Sequence, residues 1–376
     1  MTKPGFPSSR RPPERSVARA AVGPVGYAWL VERLGLPPFV PTPAARVGPV
    51  QSLQTLDEGV MLVPARIAPE QRVLAHVLFA LKHEGVNLLV LACALPAVAA
   101  DELRQAIATA PNGVYLRKAG YLWERFTGQR LELPKGVVVA APYARMFEPQ
   151  AYVCGPSRRE AKWRIDFNGI GDLDYCPTVR RTPELARLLE TDILRQAREF
   201  AQDVPRETLD RALSWAYLSE TEGSYAIERE IPSRDKAAAF ARLLRHADDP
   251  REITEAYLAD LQSAMITNPL GREFQFRTEQ NRLQRGPGAV GITYVPPQPE
   301  RARQLQHAWM RLANRWDHEQ PPAPLAPLVR ASILSFGLVF IHPFMDGNGR
   351  LSRFLIHRVL ARSGALPGGF LLPISM

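Results

Sequence analysis

The run from Pro327 to Ile341 constrains this chain more than any other stretch. It reads as one helix with Val329, Ile333, Leu334, Phe336, Leu338, Val339, Phe340 and Ile341 spread around its whole circumference. A helix apolar on every side belongs at the centre of a domain, with other helices packed around it. Pro343 then forbids helical continuation, and Gly347 and Gly349 permit a tight reversal. From Arg350 a second helix begins, with Leu351, Phe354, Leu355 and Val359 on one face, and it runs to Gly364. Whatever else the chain does, it must fold around this helix, loop and helix.

With 376 residues there is room for two domains with cores of their own. An apolar fraction of 46% and a charged fraction of 23% suit a soluble globular protein. The net charge of +9 would suit a polyanionic partner. It is partly local, however: Lys3, Arg10, Arg11, Arg15 and Arg19 face only Glu14 in a Pro- and Ser-rich start. Residues 1–24 are expected to be a disordered basic arm, and a nucleic-acid partner, resting on composition alone, is not favoured. Cys93, Cys154 and Cys176 are odd in number and lack a CxxC spacing, so neither a disulfide framework nor a zinc site is expected. No signal peptide is expected, because no apolar stretch follows the N-terminal positive charges, and the most apolar run, Val86–Ala100, contains Pro96 and is too short to span a bilayer. The expectation is a cytoplasmic protein with no membrane segment.

Proline clusters divide the rest. Periodicity predicts helices from Pro69 through Leu81, Val86–Leu95, near Asp101, and Val114–Phe126. Short strands are expected at Val137–Ala140, Ala151–Cys154 and Trp163–Phe167. After Pro177 the pattern is almost wholly helical: Pro183–Asp203, Arg206–Tyr217, Lys236–Arg245, Glu252–Met265 and Leu305–Trp316. The turn Arg285–Gly288 and the β-like Gly291–Val295 suggest a hairpin hung on the bundle. The fold class is therefore mainly α, a helical bundle with a β-hairpin (179–376), preceded by a mixed α+β domain (25–178).

The loop between the two central helices carries chemistry. Residues 342–353 read His-Pro-Phe-Met-Asp-Gly-Asn-Gly-Arg-Leu-Ser-Arg. The N–H groups of Gly347, Asn348 and Gly349 would converge at a helix N-terminus, an anion nest. Arg350 and Arg353, three apart, share one side of the first turn, where positive charge faces the unfavourable end of the dipole. A phosphate would compensate them through the guanidinium forks. Asp346 could hold a Mg²⁺ against phosphates, and His342 can take a proton near neutral pH. Phe344 anchors the loop. Phosphoryl or nucleotidyl transfer follows from this set, but the spacing does not say which phosphorus is attacked.

The stretch His342–Arg353 matches the HxFx(D/E)GNGRxxR signature and resembles the Fic family without a mismatch. The resemblance covers the helical half from about Pro183. It implies a protein adenylyltransferase that moves AMP from ATP to a Ser, Thr or Tyr hydroxyl of a target protein, releasing pyrophosphate. It makes His342 the general base and Asp346 the Mg²⁺ ligand. Gly347, Asn348 and Gly349 would cradle the phosphates, with Arg350 at the β-phosphate side and Arg353 at the γ-phosphate. Gly349 stands where members acting as kinases carry Lys. The region Arg277 to Pro297 is similar to the family's target-aligning flap, with Ile292, Thr293 and Tyr294 at its strand. Ser224-Tyr225-Ala226-Ile227-Glu228 fits the inhibitory (S/T)xxxE(G/N) pattern, in which Glu228 would pair with Arg353; Arg229 stands where the family has Gly or Asn. The family normally has further helices beyond the signature helix, where this sequence ends at Met376. The resemblance leaves three alternatives open: removal of AMP, another nucleotide donor, and a catalytically silent nucleotide-binding module. It also leaves open a homodimer.

Overall fold

The structure, a computed structural model, describes residues 23–36, 43–56, 59–266, 271–284, 291–319 and 325–375. All but Gly23 and Pro24 of the expected basic arm lies outside them, as do most of the Pro-rich stretch 36–43 and the turn 285–288. The described residues form two units, one of residues up to Phe147 with Arg158–Phe167, the other of Glu148–Ser157 and everything from Asn168.

The first unit mixes helices and small sheets. It contains α1 (Gly26–Arg33), β1 (Ala44–Gly48), β2 (Gln54–Thr55), β3 (Val60–Pro64), α2 (Val73–His83), α3 (Leu88–Ala94), α4 (Ala100–Thr109), α5 (Val114–Thr127) and β4 (Ala144–Arg145). β1 runs parallel to β3, and β2 antiparallel to it. Val25, Ala45, Met61, Val63 and Phe79 close a core over that sheet. The helix expected from Pro69 starts later, at Val73, with Arg72 as its extended cap. The strand expected at Val137–Ala140 does not form. Its Val137 N–H turns back to the Pro134 carbonyl, and Ala140 N–H goes to the Asn112 side chain, so no ladder is available.

The boundary expected at 178 falls inside the second unit. Of the strands between, β6 (Arg158–Glu160) and β7 (Ile165–Phe167) pair within the first unit alongside β4. β5 (Tyr152–Val153) instead pairs antiparallel with β8 (Val179–Arg180). Residues 148–157 and 168–178 are thereby drawn into the helical unit.

That unit is built from α6 (Pro183–Glu190), α7 (Ile193–Asp203), α8 (Arg206–Ile227), α9 (Arg234–Arg245), α10 (Glu255–Met265), α11 (Pro299–Asp317), α12 (Pro327–Ile341) and α13 (Asn348–Arg362), with β9 (Leu283–Gln284) and β10 (Ile292–Tyr294). The helix expected at 183–203 is two, because Asp192 adopts φ +41° and caps α7 with its own side chain. The helix expected to stop at Tyr217 continues ten residues further, to Ile227. α12 keeps its expected bounds but not its expected burial. Ile333, Leu334, Leu338 and Ile341 are buried, whereas Phe336 and Phe340 are 71% and 44% exposed. Its buried side meets α11, where Trp309 Nε1–H donates to the Leu334 carbonyl at 3.1 Å. Gly337 permits this approach, since a Cβ there would lie 2.8 Å from the Trp309 ring, and it would also lie 2.1 Å from the Tyr175 hydroxyl.

Candidate active site

α12 delivers His342 as its C-cap, in the left-handed region at φ +54°. The strained turn swings the chain into the loop and leaves the imidazole 6% exposed. Nδ1 lies 3.3 Å from the Val339 carbonyl. This contact favours the tautomer with hydrogen on Nδ1 and leaves Nε2 as the proton acceptor. Burial pushes the imidazole below its ordinary pKa, against the opposing pull of the Val339 carbonyl. A neutral, proton-accepting ring is therefore favoured near neutral pH.

The loop is held from three sides. Phe344 is fully buried and meets Phe276 edge-on at 5.5 Å. The Asn348 side chain accepts from Phe344 N–H at 3.1 Å and donates to the Phe344 carbonyl at 2.7 Å. Asn348 thus braces the loop with its amide, and only its backbone N–H can serve an anion. Gly347 caps α13 at φ +83°, and its N–H donates to Asp346 Oδ1 at 2.5 Å. As at any helix start, the first-turn N–H groups of Asn348, Gly349 and Arg350 have no intrahelical acceptor.

Two residues that spacing did not single out complete the support. Glu273 Oε1 accepts from Met345 and Asp346 N–H at 2.8 and 3.3 Å, and burial raises its carboxyl pKa despite those bonds. Arg277, read in the sequence only as the edge of the flap, is 5% exposed. It donates to the His342 carbonyl at 2.8 Å and also bonds the Pro297 carbonyl. It stitches the base of the hairpin to the loop. In the hairpin, β10 pairs antiparallel with β9, Ile292 opposite Gln284 and Tyr294 opposite Leu283. Tyr294 Oη donates to the Phe340 carbonyl at 2.5 Å, and the Thr293 hydroxyl to the Leu283 carbonyl at 3.2 Å.

The two motif arginines take different paths. Arg353 turns toward the end of α8. Its Nε donates to Ser224 Oγ and its Nη2 to the Ser224 carbonyl, both at 2.8 Å, while Nη2 also meets Glu228 Oε1 at 2.9 Å. The same carboxylate sits over the nest: a Cβ on Gly349 would be 2.2 Å from Glu228 Oε1. Arg350 turns inward and bonds Glu230 Oε2 at 2.6 Å. Glu230 is the third residue that motif reading passed over, although a second carboxylate two positions beyond Glu228 was the available signal.

The α8 terminus explains how Glu228 is aimed. Arg229 N–H reaches the Ala226 carbonyl at 2.9 Å and Glu230 N–H the Tyr225 carbonyl at 3.0 Å, a Schellman cap. The cap requires a left-handed residue at 229, and Arg229 stands there at φ +59°. Gly or Asn would take that conformation with less strain.

Residues 252–360 match the Fic/DOC family. The chain is 38% identical to the protein adenylyltransferase Fic of Drosophila ananassae over 211 residues, 56% of this chain and 34% of that protein. The Nematostella vectensis protein of the same name is 39% identical over 74 residues, 20% of this chain and 16% of its own length. This chain thus spans between 14% and 34% of the length of these curated relatives. Solved structures similar to it include a Fic domain containing signaling protein from Bacteroides thetaiotaomicron (21% identity, TM-score 0.38, 46% of this chain and 72% of that one). Fic-1 from C. elegans is another (17% identity, TM-score 0.34, 78% and 84%). His342, the loop and both arginines lie within residues 252–360, the part of the chain that matches the Fic/DOC family. The chain carries a Fic domain.

Proposed function

We propose that this chain is a protein adenylyltransferase, held inactive by Glu228. The target hydroxyl oxygen attacks the α-phosphorus of ATP, the bond to the bridging α–β oxygen breaks, and pyrophosphate leaves. His342 Nε2 takes the hydroxyl proton, which its lowered pKa permits at neutral pH. Gly347 sets the turn that opens the helix, the first-turn N–H groups of Asn348 and Gly349 donate to phosphate oxygens, and Arg350 and Arg353 take the β- and γ-phosphates. The hairpin at Ile292–Tyr294 lines up the target segment.

Asp346 suits a Mg²⁺. Its side chain is about half exposed, and Oδ1 is engaged by Gly347 N–H, which leaves Oδ2 for a cation. No cluster of three or more metal-ligating side chains occurs among the described residues. One carboxylate with substrate phosphates is how this ion is usually held. Bound there, Mg²⁺ would neutralise phosphate charge. No helix among the described residues is long and apolar enough to cross a membrane. The reading includes a cytoplasmic setting, with ATP and a hydroxyl-bearing protein as partners and no nucleic acid.

The observation that carries this reading is the Glu228 carboxylate lying on Gly349 and Arg353. The protein supplies its own anion to a site built for one. The test is to offer Glu228→Gly protein ATP labelled at either the α- or the γ-phosphate and examine protein-bound label. Retention of the α-label alone is expected. Retention of the γ-label would mean kinase chemistry, and retention of neither would leave no transferase.

A further inference from the structure

A guanidinium that is to meet a phosphate must be reachable, and Arg350 is not: it is 1% exposed. Among the described residues its one short hydrogen bond is to Glu230 Oε2 at 2.6 Å, and Glu230 is the more exposed partner at 28%. The other contacts are long, Nη1 to the Met265 carbonyl and Nη2 to Asp346 Oδ1, each at 3.4 Å. Among the described residues, Arg350 Nε is buried without a hydrogen-bond partner. The guanidinium lies 5.2 Å from the Tyr225 ring centroid. Of five donors, one is well used, so capacity for an anion remains.

Glu230 does not come from an unrelated part of the fold. It is the last residue of the Schellman cap that also positions Glu228, and its N–H closes that cap on Tyr225. Three consecutive residues thus carry a carboxylate to Arg353, a left-handed turn, and a carboxylate to Arg350. One helix end occupies both motif arginines.

We infer that Glu230 is a second inhibitory carboxylate, which covers Arg350 on the β-phosphate side as Glu228 covers Arg353 on the γ side. The inference rests on residues 342–353 being an ATP phosphate site. Nucleotide must displace Glu230 to reach Arg350. The two locks are separable by the length of the phosphate chain. Glu228 opposes a γ-phosphate at Arg353, so removing it changes ATP binding more than ADP binding. Glu230 opposes a β-phosphate, so neutralising it strengthens ADP and ATP alike.

The test is calorimetric titration of ATP and of ADP, each with Mg²⁺, into the full chain and its Glu228→Gly, Glu230→Gln and double variants. Gln keeps a carbonyl acceptor for Arg350 while removing the charge. In the Glu228→Gly background, Glu230→Gln is expected to tighten ADP about tenfold, the equivalent of one charge-assisted hydrogen bond no longer competed for. Unchanged or weaker ADP binding overturns the inference, the weaker case making Glu230 a support for Arg350. Failure of Glu228→Gly to bind either nucleotide overturns the functional reading instead. If Glu230→Gln does not fold, as a thermal melt would reveal, Glu230→Asp, which shortens the reach by one methylene, is read in the same way.

Discussion

Arg229→Gly should tighten the inhibited state, against the intuition that removing a residue from an inhibitory motif weakens it. Arg229 sits at φ +59° between Glu228 and Glu230, and its side chain is exposed. A left-handed residue with a Cβ costs about 1–2 kcal/mol. Replacing it with Gly removes that strain but adds freedom to the unfolded chain, worth about 0.4–1 kcal/mol in the other direction. The net is about 0.5–1 kcal/mol in favour of the capped helix, since both cap hydrogen bonds involve backbone atoms that Gly retains. For a unit of this size that corresponds to a rise in melting temperature of roughly 1–4 °C. If the uncapped helix is the active form, residual AMP transfer falls by about two- to fivefold. A thermal melt and an α-label transfer assay on parent and variant read both quantities. A lower melting temperature with increased transfer would refute the argument, because the Arg229 side chain would then be holding the cap rather than straining it.

Four further outcomes follow. The acid limb of transfer activity should lie below pH 6.5, because burial depresses the His342 pKa and the proton-accepting ring is lost only as pH falls through that value; a limb above pH 7 would contradict the assignment. Glu220 is buried and accepts from Ile374 and Ser375 N–H, the Ser375 hydroxyl and His357, tying α8 to α13 and to the last described residues. Burial alone would raise its carboxyl, but these bonds more than offset it and hold the pKa at about 2. The folded value is thus below the unfolded one, so its stabilisation is full above about pH 4.5 and fades toward pH 2; Glu220→Gln should cost about 3 kcal/mol at neutral pH, read by urea denaturation, and less in acid. Gly337→Ala should destabilise by about 1–3 kcal/mol through overpacking, since its Cβ would press on Tyr175 and Trp309, and an unchanged melt would show that α11 and α12 can yield. Asp346→Asn should lower transfer at least about tenfold, and chelation of divalent ions should abolish transfer by the Glu228→Gly protein; full activity in chelator would remove Mg²⁺ from the scheme.

Local chemistry was legible and long-range pairing was not. The bounds of α12 could be read because Pro327 opens the helix at its first turn and Pro343 closes it. The loop could be read because Gly347 and Gly349 mark a turn that few sequences need. The aromatic stripe of α12 was misjudged, since periodicity counts apolar residues and cannot say that Phe336 faces outward. The parallel pair of β1 and β3 lay hidden because its partners are set apart along the chain and carry Arg46 and Gly48 within the alternation. That residues 148–157 group with the helical unit was hidden for the same reason: β5 and its partner β8 are each two residues long and are separated along the chain by the β6–β7 segment of the other unit. At the site, the residues proposed for the chemistry stood out as a motif. Glu230, Glu273 and Arg277 did not, because each acts through a contact made only by folding.

The central claim is that Glu228 occupies the place of a phosphate in an otherwise competent site. The most direct measurement is transfer of α-labelled AMP to protein by four forms of the chain: parent, Glu228→Gly, His342→Ala, and the two substitutions combined. The account predicts little label in the parent, a rise of at least about tenfold in Glu228→Gly, for the loss of one ion pair with Arg353, and background in both forms lacking His342. Equal labelling by the parent and Glu228→Gly would contradict the inhibitory role, and label in the combined variant would contradict the catalytic one.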